Sequence, residues 1–166
     1  MSERTRTYSW HDPQEVLAHG AGLTGLELLR RIAQGELPPA PIGRTLGFGP
    51  MTVGEGEAVF EVEPAEFHYN PIGVVHGGLA LALLDSAMGC AVHTTVPAGM
   101  AYTTLEVKAN FVRPLTLATG LVRCHGSVVH RGRTIATAEG RVEDVAGKLY
   151  AHGTSTLLLI REAAPA

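Results

Sequence analysis

The chain has 166 residues, 45% apolar and 17% charged, with a formal net charge of −3. That length and composition support one domain with a real core and exclude long disorder. The scattered Lys and Arg lack the basic face that a nucleic-acid partner requires. In chain order, residues 1 to about 20 are polar and aperiodic and predict a tail, or an arm laid on a partner. Thr24-Gly25-Leu26-Glu27 has capping-box spacing, and Leu26, Leu29, Ile32 and Ala33 recur at helical intervals before Gly35. This predicts one short amphipathic N-terminal helix. Leu37-Pro38-Pro39-Ala40-Pro41 then reads as a stiff connector. The expected division is an arm and helix over 1–44 and a main domain over 45–162.

From about residue 47 the period becomes two. Val59, Glu61 and Glu63 alternate with Phe60 and Val62. An apolar helix is expected over roughly 77–93. Four extended stretches follow: Thr103 to Val112, Leu121 to His130, Thr134 to Glu143 and Leu149 to Ile160. In the first, Leu105, Val107, Ala109 and Phe111 alternate with Glu106, Lys108 and Asn110. The small residues Ala136, Ala138, Gly140 and Ala151, Gly153, Ser155 share strand faces, which lets a helix lie close. Short turns between strands imply an antiparallel sheet. The expected fold is α+β: one curved antiparallel sheet wrapped around one long central helix.

That helix carries one charge, Asp85, in a run that is apolar on every side. Such a run reads as buried, and a buried carboxylate needs compensation. The run is also short for a membrane span. Gly77 and Gly78 open the helix, where unsatisfied N–H groups and the positive dipole end suit an anion or a polarised carbonyl oxygen. Asp85 lies eight residues further on, roughly 12 Å at about 1.5 Å per residue. One chain therefore cannot bring both to one carbonyl. A second copy covering the helix would do so, which predicts at least a dimer with shared sites.

Asn70-Pro71-x-Gly73-x-x-His76-Gly77-Gly78, then Asp85, then Thr104-x-Glu106-x-x-x-Asn110-Phe111-x-Arg113-Pro114 resembles the hotdog-fold acyl-CoA thioesterases of the phenylacetic-acid-degradation type. The resemblance covers roughly residues 45 to 160. It implies Asp85 as the catalytic carboxylate, acting as nucleophile or as base for water. It implies the Gly77 N–H as donor to the thioester oxygen, Asn70 and His76 beside that oxygen or the water, and Thr104 as a water-placing hydroxyl. It also implies dimers paired into tetramers, with coenzyme A as part of the substrate and no resident cofactor. The cationic turn Arg131-Gly132-Arg133-Thr134, and Arg113, are candidates for the CoA phosphates.

Three other readings compete. An acyl-CoA sensing module would lack turnover. A hotdog hydratase or dehydratase would use His68 in His68-Tyr69-Asn70-Pro71, but Asp85 is out of step with its expected carboxylate. A metal hydrolase would need clustered ligands, and the eight histidines contain no HxH or HExxH pair. No metal is therefore expected. Cys90 and Cys124, without CxxC spacing, are expected as reduced, buried thiols. With no apolar leader, the expected location is the cytoplasm.

Overall fold

Residues 2–161 are described by a computed structural model. The stretch expected to be an aperiodic tail contains a helix, α1 (Pro13–Gly20). Asp12 caps it by accepting from the Gln14 N–H at 2.9 Å, and Pro13 supplies the first helical position. Periodicity misses α1 because the helix buries no residue. The segment before it is tethered by Arg6, which donates to the Arg44 and Thr45 carbonyls and lies 3.9 Å over the Phe67 ring.

Helix α2 (Gly25–Ala33) has the expected capping box: Thr24 Oγ1 accepts from the Glu27 N–H, and the Glu27 carboxylate accepts from the Thr24 N–H. The proline connector is shorter than expected. Its last proline opens α3 (Pro41–Leu46), which Gly47 closes at φ 69°. Among the described residues, three short helices, not one, therefore precede the sheet.

The sheet comprises β1 (Phe48–Gly54), β2 (Glu57–Val62), β3 (Met100–Phe111), β4 (Val122–Arg131), β5 (Ile135–Asp144) and β6 (Leu149–Arg161). Its order is β1-β2-β4-β5-β6-β3, antiparallel throughout. Strand ends move by up to three residues from those expected. Residue 162, the expected domain end, lies outside the described residues. Between β2 and β3 runs α4 (Gly77–His93), which packs against all six strands. The α+β architecture is thus a sheet wrapped around one helix.

Small residues set that close packing. Ala136, Ala138, Gly140, Ala151, Gly153 and Ser155 are all buried. A Cβ on Gly126 of β4 would stand 2.4 Å from the Ala87 backbone, so only glycine fits there. Leu83, Leu84, Ala87, Met88 and Val92 of α4 are fully enclosed. Each large side chain among them contributes about 1.5–3 kcal/mol by leaving water.

Two expectations are corrected. Asp85 is exposed in the single chain, as is Leu81, so α4 is apolar all round but not covered all round. In β3, Leu105 and Phe111 are also exposed rather than inward. Pairing with β6 shifts between Thr104 and Glu106, so Leu105 is an extra residue in a β-bulge. Tyr102 and Thr104 pair with the buried Leu159 and Leu157, and Val107 pairs with the buried Ser155. Directly opposed residues share a face. The bulge therefore lets Tyr102, Thr104, Val107 and Ala109 all face α4, which strict alternation forbids.

Candidate active site

The mouth of α4 is built by the loop before it. Asn70 Oδ1 accepts from the N–H groups of Ile72 at 3.0 Å and Val74 at 3.3 Å, folding the loop back on itself. Gly73 takes φ 85° within that turn, a conformation that favours glycine. The His76 N–H donates to the His68 carbonyl at 2.8 Å, and Val75 pairs with the Leu115 carbonyl. These bonds fix His76 as the N-cap of α4. Its Nδ1 accepts from the Gly78 N–H at 2.8 Å, which places the proton of the neutral ring on Nε2. The Gly77 N–H makes no hydrogen bond among the described residues and points out of the first turn.

A cavity of about 280 Å³ opens at this mouth. Asn70, His76 and Gly77 line it together with Phe111, Arg113 and Tyr150. Arg113 donates to the Leu149 carbonyl at 2.5 Å, and the Tyr150 hydroxyl donates to the Asp144 carboxylate at 3.1 Å. Phe111 and Tyr150 are wall residues that periodicity treats as ordinary strand positions. The NF pair of the motif marked the first; nothing in the sequence marked the second.

Asp85 and Thr104 do not line that cavity. They form a second group two turns along α4, where Thr104 Oγ1 donates to Asp85 Oδ1 at 2.9 Å. The bulge at Leu105 aims that hydroxyl. Cys90 lies five residues beyond Asp85 and is half-buried rather than buried as expected; burial and then the Asp85 charge push its thiol up to about 12. Burial also raises the Cys124 thiol, and both cysteines are free.

The predicted site residues thus fall into two sets that one chain holds apart. The CoA candidates divide the same way. Arg113 adjoins the Gly77 mouth. Arg131, Gly132, Arg133 and Thr134 form the β4–β5 turn, which bonds to β6 at Leu159 beside Tyr102. Tyr102 and Phe111 are nine residues apart on β3, roughly 30 Å at about 3.3 Å per residue. The turn therefore belongs to the Asp85 end and Arg113 to the other.

His68 is not available for dehydratase chemistry. Its Nδ1 accepts from the Ala65 N–H at 2.9 Å and its Nε2 donates to the Leu46 carbonyl at 2.8 Å, within a buried position. Both nitrogens are spent on holding the loop. Among the described residues, no group of three or more His, Cys, Asp and Glu is placed to hold a metal ion.

Comparison with known proteins agrees with the fold. The model of the thioesterase superfamily matches residues 72–151. A provisionally named esterase of Saccharolobus solfataricus is 32% identical over 107 residues, covering 64% of this chain and 74% of the relative. A 1,4-dihydroxy-2-naphthoyl-CoA hydrolase of Listeria monocytogenes is 26% identical over 113 residues, covering 68% and 90%. The crystal structure of a provisionally assigned, phenylacetic acid degradation-related thioesterase from Ralstonia eutropha superposes with a TM-score of 0.70 at 29% identity, covering 78% of this chain and 97% of that one. The chain belongs to the thioesterase superfamily and is a hotdog-fold thioester hydrolase.

Proposed function

We propose that the protein hydrolyses acyl-CoA thioesters to the free acid and CoA, at sites shared by two copies of the chain. The observation that carries this reading is the separation on α4. Gly77 presents an unbonded N–H at one end, and Asp85 presents an exposed carboxylate two turns on. Each is half of a reaction centre.

In the proposed site, the thioester oxygen accepts from Gly77 of one copy. A donor aimed at a developing oxyanion is worth about 3–4 kcal/mol. Asn70 and the Nε2–H of His76 flank that oxygen or the attacking water. Asp85 of the second copy, held by Thr104, attacks the carbonyl or takes the proton of a water that does. The second copy would also bring Arg131, Gly132, Arg133 and Thr134 towards the CoA phosphates, while Arg113 would come from the first. Dimers pairing into tetramers, and a cytoplasmic location, belong to the same proposal. Among the described residues, no helix is long and apolar enough to cross a membrane.

The test is thiol release from a panel of acyl-CoA substrates by the purified protein. The wild type is expected to release CoA with at least one acyl class. Asp85→Asn is expected to fold normally and to lose about 10³-fold in kcat. Tight acyl-CoA binding by the wild type without thiol release would make the protein a sensor instead.

A further inference from the structure

Gly89 is fully buried on α4, and a Cβ there would lie 2.6 Å from the Tyr102 hydroxyl and 2.9 Å from its ring. The Tyr102 phenol therefore lies directly on the helix backbone, in the space that a side chain at position 89 would fill. Gly89 is one helical turn after Asp85, and Tyr102 shares its strand face with Thr104, which already holds Asp85 Oδ1. The hydroxyl makes no hydrogen bond among the described residues. Burial first, then Cys90 and the Asp85 charge, raise its pKa well above the usual phenol range, so it remains a donor. The Asp85–Gly89 rise is about 6 Å. The hydroxyl therefore sits on the turn of α4 next to the one that carries Asp85.

We infer that Tyr102 is a positioning residue for the hydrolytic water, which its hydroxyl and the Asp85 carboxylate hold between them. This rests on the thioesterase reading and deepens it, because it makes Asp85 a general base. The water loses a proton to Asp85 as its oxygen bonds to the thioester carbon. The C–S bond then breaks, and the thiolate recovers that proton from Asp85. Thr104 orients the carboxylate, and Tyr102 orients the water.

The experiment compares wild type with Tyr102→Phe, which keeps the ring on Gly89 and removes only the oxygen. Steady-state hydrolysis is measured with the best acyl-CoA of the panel, and products are then analysed with methanol added. The expected result is a fall in kcat of about tenfold, the scale of one lost positioning hydrogen bond, with KM little changed. The vacated oxygen site also admits methanol, so the ratio of methyl ester to acid rises above that of the wild type. A variant with unchanged kcat overturns the assignment. So does a fall in kcat with an unchanged product ratio, because a purely structural loss slows both acceptors alike. Either result leaves wild-type hydrolysis standing, whereas a wild type inactive on the whole panel removes the thioesterase reading itself.

Discussion

A Cβ on Gly78 would lie 2.8 Å from His76 Nδ1 and would break the cap, whereas one on Gly77 would meet only the Phe111 ring at 3.5 Å. A side chain at 78 thus displaces the His76 ring, whereas one at 77 meets only ordinary contact. What position 77 must keep, on this account, is its N–H. Proline at a first helical position is well tolerated and has no N–H, and His76 already has the extended backbone that proline demands of its predecessor. Gly77→Pro is therefore expected to fold while losing about 10²–10³-fold in kcat, measured as thiol release. Retained activity would move the oxyanion donor elsewhere. His68 gives a second prediction. Burial, and to a lesser degree the Arg6 charge, hold its pKa below the ordinary 6.5, although its bond to the Leu46 carbonyl opposes this. As pH falls below about 6.5 the unfolded chain takes up a proton that the folded chain resists, so stability drops. Urea midpoints should fall less between pH 7.5 and 5 in His68→Gln than in the wild type. Equal slopes would show that His68 is not the source.

At the scale of elements, β3 shows how far a sequence pattern carries. Leu105, Val107, Ala109 and Phe111 form a clean period-two series, yet only Val107 and Ala109 of these pack on the core. An extra residue in a strand leaves no mark in hydropathy when it is itself apolar, as Leu105 is. The bulge was therefore illegible, and with it the placement of Tyr102 against Gly89 of α4. Helix α4 was legible to the residue, because glycines open it and its apolar run ends at His93. Helix α1 was not, since it buries nothing and so imposes no period. The small residues of β5 and β6 were read correctly because close helix packing admits nothing larger. Gly126 supplies the test of that packing. Gly126→Ala forces a methyl into the Ala87 backbone and is expected to cost roughly 1–3 kcal/mol in a urea titration. An unchanged midpoint would mean that α4 can move off the sheet freely.

In the whole molecule, the two groups of motif residues stand apart along α4. The residues of the motif are contiguous in chemistry but divided in space, because a rigid helix fixes the rise between Gly77 and Asp85. Sequence spacing already carried that conclusion, since helix rise depends on residue number alone. It could not show that Asp85 and Leu81 are open in one chain, because an apolar helix surface reads the same whether a sheet or a second copy covers it. It could not show the cavity either, since the walls at Phe111 and Tyr150 come from strands distant in sequence. The most direct test of the shared site mixes two inactive chains, Asp85→Asn and Gly77→Pro, by co-expression or by unfolding and refolding together. Random pairing makes half the dimers mixed, and each mixed dimer has one site with both an intact Gly77 and an intact Asp85. The mixture should therefore recover about a quarter of wild-type thiol release, while either variant alone stays inactive. A mixture that assembles into dimers and remains as inactive as its parents would contradict the shared site.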